Sequence, residues 1–138
     1  MRTDQDTHKR AKHNIVDDPK SHCRYVEVEA ATLAKKAASA GLPHLCGTPE
    51  QILCAEFIRA ELLESAAAVL SNSWYQTKEL DDSPIKEHNL VVLHIFGQLL
   101  VQIRLESSAI WWIAHRCDDG YLFLRRVYQE YNPQNPLL

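Results

Sequence analysis

LVVLHIFGQLLVQIRLESSAIWWIAHRCDDGYLFLRRVYQEY runs from Leu90 to Tyr131, and its periodicity decides the fold. Leu99, Val101, Ile103 and Leu105 alternate with Leu100, Gln102, Arg104 and Glu106. That is period two, the spacing of a strand with one buried face. Gly97-Gln98 fits a two-residue hairpin turn with glycine first, and Ser107-Ser108 can join the next pair of strands. Asp118-Asp119-Gly120 suits a turn with glycine in the left-handed position. The β-branched content and Gly97 speak against one helix over 89–106. The stretch predicts an antiparallel β-meander.

These turns also set the two faces. One collects Val92, Phe96, Leu99, Val101, Ile103 and Trp112 and is expected to be the core. The other mixes Gln102, Arg104, Trp111, His115 and Cys117 with Tyr121 and Arg125 if the Asp-Asp-Gly loop has three residues, or with Arg126 and Tyr128 if it has two. A half-apolar face carrying Trp, Tyr and Arg has the composition of a protein–protein interface core. Arg104, Trp111, His115, Tyr121 and Arg125 are the partner-binding candidates, with the aromatics as anchors and the arginines able to fork to carboxylates.

Working back towards the N-terminus, WYQTKEL (74–80) reads as a short strand and DDSPIKEHN (81–89) as a polar loop. GTPEQ (47–51) is a helix start: Thr48 caps, Pro49 fits the first position, and Gln51 can reach back to close a capping box. That helix should run to about Leu70, burying Ala55, Ile58, Leu62, Ala66 and Val69. Glu50, Glu56, Glu61 and Glu64 read as its solvated side. AATLAKKAASAGLP (30–43) is helical up to Gly41, which supplies a left-handed C′ residue before Pro43. RYVEVE (24–29) fits either a strand or a first helical turn.

The predicted fold is α+β: two N-terminal helices packed on one face of a four- to five-stranded antiparallel C-terminal β-meander. Residues 1–21 are polar, carry the basic cluster HKRAKH, and read as a flexible arm; residues 22–138 read as a single α+β domain. The tail NPQNPLL should leave the sheet as an extended segment.

A chain of 138 residues suits one domain, and 46% hydrophobic with 24% charged residues is ordinary for a soluble protein. A net charge of −3 argues against broad electrostatic capture of nucleic acid. No apolar run approaches the roughly 18 residues needed to span a bilayer, and the N-terminus lacks a signal-peptide core. A cytoplasmic location is expected, with Cys23, Cys46, Cys54 and Cys117 reduced.

Chemistry is sparsely signposted. His22-Cys23, His44-Leu45-Cys46 and His115-Arg116-Cys117 contain zinc-type ligands, but the two-residue knuckle spacing is absent, so no metal is expected. Cys46 lies just before a helix, where the dipole favours a thiolate, yet nothing in sequence supplies its partners. Asp81-Asp82 and Asp118-Asp119 sit in turn-like contexts. Nucleotide-binding glycine patterns and hydrolase motifs are missing, so neither catalytic residues nor a cofactor are assigned.

The expected function is that of a small non-enzymatic interaction module of the cytoplasm: an adaptor, inhibitor, immunity or regulatory factor. It would bind a protein partner, or itself as a homodimer, through the aromatic and arginine face. The alternative follows if RYVEVE is a strand. Strand, two helices and meander is an order that resembles the small RelE/ParE type of toxin, as a topological analogy. The resemblance implies a ribonuclease or nucleic-acid-binding role for arginine and histidine on the sheet.

Overall fold

The computed structural model describes residues 23–135, with side chains from Val26 onward, and it overturns the sheet. Helix covers 75% of the described residues, and no strand occurs among them. The elements are α1 (Cys23–Ser39), α2 (Pro49–Lys78), α3 (Pro84–Ile103), α4 (Ala109–Ala114) and α5 (Gly120–Tyr131). The only β-type pairing among the described residues is an isolated parallel bridge between Cys46 and Ser108. The α+β class with its β-meander is therefore incorrect, and so is the strand at 74–80. RYVEVE opens α1, which removes the order on which the RelE/ParE analogy stood. The arm at 1–21 and Leu137-Leu138 lie outside the described residues.

Hydrogen bonds at the helix starts explain the correction. Ser83 is extended, with φ −165° and ψ 163°, and its hydroxyl accepts from the Lys86 amide, 3.2 Å away. Pro84 follows in the first turn, where its missing amide costs nothing. From that start the apolar run propagates as a helix that buries Phe96, Leu99 and Ile103, spaced by three and four. Val101 and Leu105, assigned to the core by the alternation, are 61% and 69% exposed. Ser108 receives the Trp111 amide at 3.3 Å and opens α4 in the same way. Asp119 caps α5, accepting from Leu122 N at 2.8 Å, so Asp118-Asp119-Gly120 is a helix start and Gly120 has no positive φ.

Contacts divide the described residues into two units, one running up to Ala60 with Ser107–Ala114 and the other Glu61–Glu106 with the chain from His115, so α2 contributes to both. In the first, α1 ends as expected: Gly41 has φ 84°, Leu42 N donates to Ala37 O at 2.9 Å and Gly41 N to Ala38 O at 3.0 Å. The capping box forms: Thr48 N donates to Gln51 Oε1 at 2.9 Å, and Gln51 N to Thr48 Oγ1 at 3.2 Å. Cys46 N donates to Ser107 O at 2.7 Å and Ala109 N to Cys46 O at 2.9 Å, tying this loop to the start of α4. Trp112 is fully buried on α4. Glu56, read as solvated, is instead buried with Arg59.

In the second unit, α2 continues past Leu70 to Lys78, and a short loop turns the chain into α3. Helix α5 packs against α3 and buries Phe123, Leu124 and Val127. Phe96 meets Tyr121 edge-on with centroids 6.3 Å apart.

Gly97, treated above as a hairpin turn, lies inside α3, and nothing stands within 4 Å of where its Cβ would be. Gly97→Ala should therefore stabilise the protein by about 0.5–1 kcal/mol, because alanine loses less backbone entropy in a helix. A higher urea midpoint with an unchanged slope would show it; a turn at this position would give a loss.

Candidate functional site

Tyr121 and Arg125 stand one helical turn apart on α5, which places them side by side. The Arg125 guanidinium carbon lies 5.8 Å from the Tyr121 ring centroid, within cation–π range. Both line a cavity of about 410 Å³ whose other walls are α2 and α3. Helix α2 contributes residues from Val69 to Thr77, the loop Leu80, and α3 residues from His88 to Phe96. Val69, Leu70, Val92, Leu93 and Phe96 form apolar wall; Ser73, Gln76, Thr77, His88 and Asn89 supply hydrogen-bonding groups. A second cavity of about 520 Å³, lined by residues including Trp74, Leu90, His94 and Gly97, shares Leu70 and Leu93 with the first. Concave, mostly apolar space with a few polar groups is the usual form of a binding site.

The groove contains no carboxylate: none of its lining residues is Asp or Glu. Arg125 is half-buried and makes no ion pair among the described residues. Its neighbour Arg126 behaves differently, donating from Nη1 to Asp118 Oδ1 at 2.9 Å.

The other three sequence candidates lie elsewhere. Arg104 caps the C-terminal end of α3, half-buried, with its backbone amide bonded to the Leu100 and Gln102 carbonyls. Trp111 belongs to the first unit and is half-buried, its ring 4.9 Å from that of Trp112 in an edge-to-face arrangement. His115 is buried, 5% exposed, not displayed on a surface. Its Nδ1 lies 3.0 Å from Asp118 Oδ2 and its Nε2 3.1 Å from Glu130 Oε1, while Phe123 packs edge-on against the ring. With both ring nitrogens facing carboxylates, the imidazole ties the turn before α5 to that helix's last turn.

Among the described residues no three His, Cys, Asp or Glu side chains gather as a metal site. His44 and Cys46 are exposed, and the Cys46 thiol is 4.0 Å from its neighbour's carbonyl at His44. His22 and the side chain of Cys23 lie outside the described residues. No described helix is long and apolar enough to cross a membrane.

One titration in this unit is displaced. The Tyr131 hydroxyl is held above its ordinary value of 10.0, first by burial, then by the negative charges of Glu106 and Glu130. The folded chain therefore keeps this proton over a range where the unfolded chain has lost it. The resulting stability is fully present below pH 10 and declines as pH rises towards the folded value. Tyr131→Phe should flatten the alkaline fall of the melting temperature, read between about pH 9 and 11.

The contribution of α2 and α3 to the groove was hidden from the sequence by the strand readings of 74–80 and 90–106. The signal that could have revealed it is Ser83-Pro84, a helix start of the same type as Thr48-Pro49. No family model, curated protein or solved structure matches this chain.

Proposed function

We propose that this chain is a non-enzymatic interaction module that holds a protein partner in the groove between α2 and α3, anchored by Tyr121 and Arg125. The observation that carries this reading is the groove itself, with an apolar wall, no acidic lining residue and an arginine beside an aromatic ring. The surrounding surface agrees with it. Trp74, Leu80 and Ile85 are 49%, 41% and 69% exposed along α2, the loop and α3. Leu80 lines the groove and Trp74 the second cavity, so two of these exposed apolar side chains border concave sites. Arginine and tyrosine are enriched among the residues that dominate binding energy.

The test uses the whole chain with a photo-crosslinking residue at Gln76, which lines the groove, or at Val28, exposed on the first unit. Protein adducts should form from position 76 and not from position 28. Tyr121→Ala and Arg125→Ala should each weaken capture by about tenfold or more. Adducts of twice the chain mass would identify a second copy as the occupant. Equal labelling from both positions, or capture indifferent to both alanine variants, would overturn the reading.

A further inference from the structure

The lining of the groove says more about its occupant. We infer that the site takes a short amphipathic helix with aliphatic anchors and a carboxylate set against Arg125. This rests on the groove reading above and adds the partner's shape and charge.

Shape comes from the walls. The α2 wall spans Val69 to Thr77, which at the rise of a helix is roughly 12 Å, and Leu80 joins it from the loop that follows. The α3 wall spans His88 to Phe96, roughly 12 Å. A third helix lying along these walls would meet them over about two turns. An extended strand would need a sheet edge to pair with, and the described residues offer none. Helical walls satisfy their own backbone groups, so recognition falls to side chains. That favours aliphatic anchors spaced i, i+3 and i+7 on one face of the incoming helix.

Charge comes from what the fold gives to one arginine and withholds from the next. Arg126 has Asp118 at 2.9 Å. Arg125 has the Tyr121 ring alone among the described residues, which leaves the N–H groups of its guanidinium without an acceptor. A carboxylate can take two parallel hydrogen bonds from that fork. No acidic lining residue competes for it. The Phe96–Tyr121 contact sets Tyr121 at the Phe96 end of the α3 wall, and Arg125 stands one turn further along α5.

The experiment measures binding of fluorescent peptides to the whole chain. Each peptide is about three helical turns long, with leucines at i, i+3 and i+7 and one test residue a turn beyond either end of that stripe. The test residue is Glu, Gln or Lys. The Glu peptide should bind, with the Gln analogue weaker by about tenfold or more and the Lys analogue weaker still. Arg125→Gln should erase the difference between Glu and Gln, and Arg125→Glu should reverse the preference towards Lys. Equal binding of all three peptides, or binding of none, overturns the inference. So does octanoate displacing the Glu peptide at an affinity matching the peptide's own, since the site would then read an aliphatic acid without a helix. If adducts still form from Gln76 while the charge series is flat, the groove remains the interaction site and only the acidic helix is lost.

Discussion

Arg59→Ala should cost about 3–5 kcal/mol of stability, among the largest losses available from a single side chain in this protein. Arg59 is 2% exposed, and Nη2 lies 2.7 Å from Glu56 Oε1, one turn back on α2. Its Nη1 donates to the Pro43 carbonyl at 2.7 Å, so the same guanidinium fastens the loop between α1 and α2. Removing it strands two groups at once: a carboxylate with a side chain 7% exposed, and a backbone carbonyl. A buried charge without its partner is far costlier than an exposed one, because neither water nor salt replaces the lost neighbour. The pair itself is a weak source of net stability, since desolvating both ions offsets most of their attraction. That asymmetry gives a second arm. Glu56→Leu combined with Arg59→Met should lose much less than Arg59→Ala alone, the remaining cost being the orphaned Pro43 carbonyl. Urea unfolding followed by circular dichroism would measure both. A single-variant loss under about 1 kcal/mol would mean that water reaches the pair.

How much of this was legible depends on which residues carried the signal. Thr48-Pro49-Glu50-Gln51 announces α2 because a side-chain oxygen, a proline and a return donor act within one turn, and all three contacts are local. Gly41 before Pro43 ends α1 for an equally local reason. Ser83-Pro84 carries the same signal but stands after two aspartates and before a polar stretch, which together have the composition of a loop. Without that start, 90–106 is left to its alternation. In a run where most residues are apolar, periodicity discriminates poorly. Leu99 and Ile103 satisfy a spacing of four as well as two spacings of two, and only Val101 and Leu105 separate the patterns. The separation lies in their exposure, which is tertiary information.

Tyr121 and Arg125 are neighbours in either fold, because an offset of four shares a side in a strand and slightly exceeds one turn in a helix. Trp111 and His115 did not survive as companions of that pair, because an alternation shared between strands has no counterpart in α4 and the turn after it. Glu56 and Arg59, spaced like any exposed helical ion pair, gave no hint that they are inside. Burial of a charged residue is decided by what packs over it, and composition does not record that.

Gly120→Ala should destabilise the second unit by about 1–3 kcal/mol, although the same change inside an open helix is favourable. Gly120 is buried at the first position of α5, with no positive φ to demand glycine. What demands it is proximity. A Cβ there would stand 2.5 Å from the Ser65 carbonyl oxygen and 2.6 Å from the carbon bearing it. Those are backbone atoms in the middle of α2, so no rotamer change relieves the overlap, and Ser65→Gly would remove only the hydroxyl, also 2.6 Å away. The start of α5 must instead lift off α2. That motion acts on Phe123, Leu124 and Val127, which are buried along the same helix, and on Tyr121 and Arg125, which line the groove. The variant should therefore lose both unfolding free energy and capture from the Gln76 position. Gly120→Asn separates the two accounts of this glycine. A left-handed turn tolerates asparagine better than alanine. A close helix contact makes the larger side chain at least as costly as alanine, and that is the expected order. Asparagine proving the milder substitution would restore the turn and remove the contact that positions Tyr121 and Arg125.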